Sequence, residues 1–330
     1  MLDRGQNLSV LVWLFVTVFL LWCMIMLGGA TRLTHAGLSI VEWKPITGII
    51  PPLSHDQWVA EFQNYQKYPE YKLLNQGMSL SDFQFIFWME FSHRLLGRLL
   101  GICFFIPLCF LFKKLNSFEK RVSIVLVGLG AAQGVLGWYM VKSGLVKNPF
   151  VSHYRLTAHL FMAVLIMGGL ITMLVGRFFS KRSFVVPEQA KPLIMLTLIL
   201  QTLALIYGGF VAGLKAGLMY NTFPLMEGAW IPSEWSDLSL FWLNFLENGA
   251  FVQWIHRVLA LCSLACVWYI YLAYKTASWW AYATSVQVVL GVITLLLQVP
   301  VFWGTLHQGW AIVTLCSGLI YLLMAKPHIE

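Results

Sequence analysis

Residues 90–114 read EFSHRLLGRLLGICFFIPLCFLFKK, and residues 253–275 read QWIHRVLALCSLACVWYIYLAYK. Each stretch opens on a carboxyl or amide side chain, places His-Arg three residues later, and then runs almost wholly apolar to a lysine. His93 stands 20 residues before Lys113, and His256 stands 19 before Lys275. Two more segments keep this pattern, with His159 18 residues before Arg177 and His307 19 before Lys326. At about 1.5 Å of helical rise per residue these intervals span about 27–30 Å, the hydrocarbon thickness of a bilayer. Four imidazoles are therefore expected at one depth, near one face of a membrane.

Composition agrees. Of 330 residues, 59% are hydrophobic and 11% charged, and mean hydropathy is +0.73. Soluble domains carry about a quarter charged residues, so an all-α polytopic membrane protein is expected. The net charge of +8 is no nucleic-acid signal, because the basic residues cluster in particular loops. Apolar runs at roughly 8–30, 85–112, 121–141, 155–177, 192–213, 250–274, 277–298 and 304–325 give eight spans. The last two share one charge-free stretch, Thr276 to Ala325, too long for a single crossing and divided by Pro300 and Gly304. All six cysteines fall inside apolar segments, where thiols are usually packing residues.

Lys113, Lys114, Lys120 and Arg121 fill one short loop, and Arg177, Lys181, Arg182 and Lys191 another. With Arg4, Lys275 and Lys326 on the same side, the positive-inside rule puts both termini in the cytoplasm. The long loops 31–84 and 214–249, and all four histidines, then lie at the outer face. The first span has no Arg-rich, Ser-rich leader before it, which points to a bacterial inner membrane rather than an organelle.

The chain repeats. Gly28-Gly29 and Ala36-Gly37 recur 180 residues on as Gly208-Gly209 and Ala216-Gly217; His93-Arg94 recurs after 163 as His256-Arg257. Gln133 and Val135-Leu136-Gly137 recur after 154, and His159 recurs as His307 after 148. Four spans per unit make this a parallel repeat, expected as two side-by-side four-helix bundles: 1–185, carrying the long outer loop, and 186–330.

A lone histidine at a helix end is ordinarily an interfacial residue. Four at one depth, in two repeated pairs, read instead as axial ligands of two hemes, since imidazole is the usual heme-iron ligand and bundle cores hold such cofactors. The pairing that respects the repeat is His93 with His159 and His256 with His307. Zinc is a weaker reading, because no Cys or carboxylate accompanies the histidines at ligand spacing in both halves. His35, His55 and His153, in outer loops, have no histidine counterpart and read as solvated; His328 is a tail residue.

The halves differ where Glu90 faces Gln253. Only the acid exchanges a proton readily, and three residues before His93 it lies on the same helix face. It is a candidate general base, or a stabiliser of positive charge on substrate; the bland reading is a salt bridge to a nearby arginine. Arg94 and Arg257 are candidates for heme propionates or for snorkelling to the interface. Arg98, deeper in the span, needs a partner, and Arg32 sits at the first outer boundary opposite Ala212 in the repeat. The glycine pairs read as close-packing positions.

Gly28-Gly-Ala-Thr-Arg-Leu-Thr34, Glu90-x-x-His93-Arg94 with Gly97-Arg98, and His256-Arg257 together resemble the heme A synthase family (Cox15/CtaA) over essentially the whole chain. The outer loops lack the cysteine pair some members carry, so a thiol relay is not carried over. The resemblance implies oxidation of a heme O methyl to the formyl group of heme A by successive hydroxylations through a gem-diol. It implies substrate heme on His93 and His159, a resident heme B on His256 and His307 as electron partner, and an essential Glu90. Heme O synthase upstream, cytochrome oxidase or its assembly factors downstream, and an unidentified electron-transfer protein are the implied partners; a homo-oligomer is left open. Of the rival readings, a diheme b-type cytochrome that only relays electrons needs no lone carboxylate. A transporter would carry its polar groups near the midplane. A heme O synthase would carry Asp-rich motifs for magnesium and a prenyl diphosphate, and none is present.

Overall fold

Eight apolar helices do cross the chain's length, and the computed structural model describes them within residues 8–44, 47–146, 149–178 and 184–327. They are α1 (Leu8–Leu33), α4 (Leu80–Leu111), α5 (Ser117–Gly144), α6 (His153–Phe178), α7 (Ala190–Gly213), α9 (Gly249–Tyr274), α10 (Ser278–Leu296) and α11 (Val301–Met324). Three short helices lie between them: α2 (His55–Tyr65) and α3 (Pro69–Leu73) in the first long loop, and α8 (Asn244–Glu247) in the second. A three-residue parallel pair, β1 (Phe184–Val186) with β2 (Ala325–Pro327), ties the loop before α7 to the chain after α11. Arg4, Lys181, Arg182 and His328 lie outside the described residues.

In the first half α1 packs on α4 and α6, and α5 on α6; in the second α7 packs on α9 and α11, and α10 on α9 and α11. The halves meet where α1 and α6 face α11 and α7. This is compatible with two four-helix units related by an axis along the membrane normal. Polar ties cross the seam: Trp22 Nε1 donates to the Gly309 carbonyl at 2.9 Å and Gln308 Nε2 to that of Ile25 at 2.8 Å.

The tightest core sits at one end. Val10, Leu14, Met167, Leu170, Met173 and Ile312 are almost fully buried where α1, α6 and α11 converge. Ile194, Val267, Ile270, Trp280 and Tyr321 repeat that arrangement in the second half. The first cluster runs from the Val10 end of α1 to within about one helical turn of His159 (Ala163) and His307 (Ile312), whereas the second lies farther from His256. The other end of each bundle is where the histidine side chains lie.

Helix ends follow local chemistry. α4 starts at Leu80, five residues before the expected 85, because Ser79 and Asp82 form a capping box and the first turn packs beneath α2. The charge-free stretch breaks at Leu297–Pro300, where Gln298 and Val299 take left-handed φ of 60° and 57° and Pro300 caps α11. Gly304 does not divide the spans as expected. It lies inside α11, where its bare Cα admits a Leu33 methyl from α1. His153 likewise is no loop residue but the first of α6, its ring against Tyr154 and Phe210.

Candidate functional site

Each of His93, His159, His256 and His307 lies with its ring against a glycine of the preceding spanning helix. Cβ atoms built on Gly28, Gly137, Gly208 and Gly291 fall 3.0, 3.5, 3.2 and 2.8 Å from Cε1 of His93, His159, His256 and His307, respectively. These glycines are themselves repeat mates, Gly28 with Gly208 and Gly137 with Gly291. The absent side chains make room for imidazoles, which is more specific than the helix packing expected from sequence. Gly29 and Gly209 do serve packing, facing Gln308 and Thr157 across the seam between halves.

In the second half the His256 and His307 ring centroids are 6.3 Å apart with the planes at 88°. Two imidazole–metal bonds of about 2.0–2.1 Å, plus the ring radius on each side, ask for about 6.3 Å between centroids. His256 Nδ1 meets the Ala204 carbonyl at 2.8 Å, one turn before its glycine. That bond holds the proton on Nδ1 and leaves Nε2 free to ligate, the usual arrangement around a bound metal. The Gln287 carbonyl holds the equivalent place beside His307, outside hydrogen-bond geometry.

In the first half His93 lies within electrostatic reach of His159. Nδ1 of both rings, like that of His307, is buried without a hydrogen-bond partner. A buried polar atom left unpaired costs about 1–3 kcal/mol. A heme iron bound at Nε2 would not pair that atom; the residues present fit two bis-imidazole hemes through the His256–His307 separation and the matching glycine seats of all four rings. Gln133 Nε2 donates to the His159 carbonyl at 3.1 Å and steadies that helix turn.

Beside the rings, the E/Q-x-x-H-R motif is a latch on the two long loops. Arg94 donates to the carbonyls of Ile40 (2.8 Å) and Glu42 (3.2 Å), and Arg257 to those of Tyr220 and Thr222, both at 2.8 Å. The four acceptors keep the same 180-residue shift as the glycines. Glu90, 3% exposed, joins this latch. Oε1 accepts from Arg94 at 2.6 Å, and Oε2 from the Ser39 hydroxyl at 2.7 Å and the Ile40 amide at 2.8 Å. Gln253 instead donates Nε2 to the Tyr220 carbonyl at 3.1 Å and leaves Oε1 unpaired. The arginines thus hold loop carbonyls, a role beyond the two expected for them.

The remaining candidates separate. Arg32 donates to the Ala212 and Gly213 carbonyls at 3.2 Å, so a cation caps the C-terminus of α7 from the other half. Arg98 reaches out to the Lys44 carbonyl at 3.0 Å. His35 is exposed and left-handed (φ 54°), as is its repeat mate Lys215 (φ 54°); burial and the cations Lys215 and Arg32 hold its pKa down. His55, at the start of α2, is exposed.

Sequence reasoning missed Glu70. It is 4% exposed on α3, accepts from the Tyr65 hydroxyl at 3.1 Å, and lines a small outer cavity with Arg32 and His35. Burial, reinforced by the negative charge of Glu90, raises its carboxyl to about 7 against the pull of Tyr65 and Arg32. A glutamate in a long polar loop carries no sequence signal that it will be buried.

Eight helices long and apolar enough to cross a membrane, with four imidazoles seated on repeat-matched glycines, define a multi-pass membrane protein. Comparison with known proteins gives the family. Residues 11–319 match the COX15-CtaA family, described as cytochrome oxidase assembly protein. Similar proteins include the heme A synthase of Parvibaculum lavamentivorans, 45% identical over 91% of this chain and 90% of its own length. That of Rhizobium etli is 43% identical over 92% and 86%, and that of Wolbachia pipientis from Culex pipiens 42% identical over 97% and 98%. The chain belongs to the COX15-CtaA family.

Proposed function

We propose that this protein is a heme A synthase, converting a methyl substituent of heme O to the formyl group of heme A. The change from methyl to formyl adds one oxygen and removes two hydrogens, a four-electron oxidation reached by successive hydroxylation and loss of water. The observation that carries the reading is the set of four imidazoles, each seated on a repeat-matched glycine and paired within a half.

In this reading His93 and His159 hold the substrate heme, and His256 and His307 hold heme B, which supplies an electron-transfer centre when bound. The seats Gly28 and Gly137 fix the ring planes of the substrate pair. Glu90 is tied at both oxygens, so it serves as an oriented negative charge rather than a swinging base. Such a charge favours positive charge developing on the substrate edge nearby. Arg94 balances it and keeps the 40–42 segment folded over the site, excluding water. Gln253 has no charge to offer, so the second half is suited to hold heme without modifying it.

In this reading the protein lies in the bacterial inner membrane with both termini cytoplasmic and the histidines near the outer face. Heme O synthase upstream, cytochrome oxidase assembly downstream and an electron-transfer protein are its partners in this reading. The test is expression with heme O supplied and mass identification of the extracted hemes. Heme A or its alcohol intermediate is expected from wild type, and Glu90→Gln is expected to retain heme while losing product by at least tenfold. Recovery of heme B alone from wild type would favour an electron relay.

A further inference from the structure

The repeat breaks down between the second and third spans of each half. α9 and α10 pack against each other, whereas α4 and α5 barely touch. In the second half the place is closed by aromatic rings. Trp268 lies 5.6 Å from Tyr271 and 5.7 Å from Tyr282, centroid to centroid, and its Nε1 donates to Ser285 Oγ at 2.9 Å. Carried back by the shifts of 163 and 154, those four positions are Phe105, Leu108, Gly128 and Ala131. The phenol that closes the second half is a hydrogen atom in the first.

What remains is a cavity of about 470 Å³ lined by Phe105, Leu108, Cys109, Phe112, Ile124 and Val127. A Cβ added at Gly101, Gly128 or Gly134, each one or two turns from a lining residue, would meet nothing within 4 Å, so no side chain fills the helix surfaces beside the cavity. Gly137, the seat of His159, stands about 15 Å beyond Val127 along α5. The half that carries the first histidine pair therefore has an apolar cleft between α4 and α5, where the matching place in the second half is closed by rings.

We propose that this gap holds the isoprenoid tail of the substrate heme, an inference that rests on the functional reading above. The lining is hydrocarbon and one thiol, which suits a prenyl chain and offers nothing to a polar group. Heme B has no such tail, and the half assigned to heme B is stapled shut at the same place. Lipid is as apolar as the cleft, so moving the tail from bilayer to cleft releases little free energy. The cleft acts through shape: with the tail seated between α4 and α5, the porphyrin is held in one rotation about the His93–His159 axis. Which methyl group reaches Glu90 is then decided by where the tail lies.

The native thiols supply a test. Cys109 lines the cleft and Cys262 is exposed on α9, so the second reports general access from the membrane. Wild-type protein in phosphatidylcholine nanodiscs would be treated with an apolar maleimide, alone, with heme O and with heme B. Heme O is expected to slow Cys109 alkylation at least fivefold and leave Cys262 unchanged, while heme B protects neither. In parallel, Gly128→Tyr is expected to lower heme O conversion at least tenfold with the amount of bound heme B unchanged. Equal protection by both hemes, protection by neither, or wild-type turnover in Gly128→Tyr would overturn the proposal. If Gly128→Tyr fails to hold heme B, the wild-type alkylation result decides. Wild type that protects Cys109 with heme O yet makes no heme A would overturn the functional reading and support the cleft.

Discussion

At the scale of single residues, the glycines are as informative as the histidines. Gly291 leaves 2.8 Å between a would-be Cβ and His307 Cε1, closer than real Cβ contacts allow, whereas Gly137 leaves an ordinary 3.5 Å. Gly291→Ala is therefore expected to displace the ring and lower bound low-spin heme severalfold in the absorbance spectrum, and Gly137→Ala to leave it nearly unchanged. The histidines were legible in sequence because their spacing to the next basic residue is measured against the bilayer. The glycine seats were legible only as repeats, since nothing in the chain says which face of α1 or α7 meets which ring. Glu90 was legible as different from Gln253, but its two-sided hold by Arg94, Ser39 and Ile40 was not.

Glu70 gives the outer loop a pH dependence. Its folded carboxyl, near 7, is above the ordinary 4.5. The folded loop therefore binds this proton more tightly than the unfolded loop, and the stabilisation is fully present below about pH 4.5 and lost as pH rises through 7. The facing groups are Tyr65, Arg32 and Glu90. The full effect is on the order of 3 kcal/mol for a raise of this size. Amide exchange in 36–73, corrected for the intrinsic rate, should lose protection between pH 5 and 8 in wild type. Glu70→Gln should flatten that slope, and a slope unchanged in the variant would show that another group titrates.

At the scale of elements, the bundle ends are tied by side chains reaching across loops. Asn116 and Glu119 form a capping box at the start of α5, and Arg177 at the end of α6 donates to both Glu119 oxygens and to the Lys114 carbonyl. Glu119 is 3% exposed at its side chain and Arg177 13%. Breaking a buried pair leaves one charge uncompensated, so Glu119→Gln is expected to cost roughly 3 kcal/mol. Thermal unfolding of the purified protein checks this: a drop of several degrees is expected, and an unchanged midpoint would mean the pair is idle. The spans themselves were readable to within a few residues, because continuous apolar runs leave a helix no alternative in lipid. Their ends were less so. Capping at Ser79 extended α4, and two left-handed residues, rather than Gly304, made the final break.

At the scale of the whole molecule, the two halves share a seam, and the proposed reading gives each its own histidine pair. Arg32 bonding Ala212 and Gly213, and Gln308 bonding Ile25, couple the halves structurally. In the proposed reading each histidine pair serves its own half. His256→Ala is expected to remove heme B and leave substrate heme bound, measured by extracting and identifying both hemes from protein that still elutes as a folded species. Equal loss of both hemes from such protein would show that the two sites are not independent.

The sequence by itself determined the eight spans, by matching apolar runs to a fixed hydrocarbon thickness, and the repeat, by self-similarity; from both it predicted one depth for the four histidines. It also determined that Glu90 and Gln253 make the halves unequal, because that is a difference of one side chain at one repeat position. Only the tertiary structure decided that glycines seat the rings, that Arg94 and Arg257 latch loop carbonyls, that Glu70 is buried, and that α4 and α5 stand apart where α9 and α10 close. Each of these depends on how helices rotate about their axes and where long loops fold back. Those rotations are set by packing between residues far apart in the chain, which no local interval records.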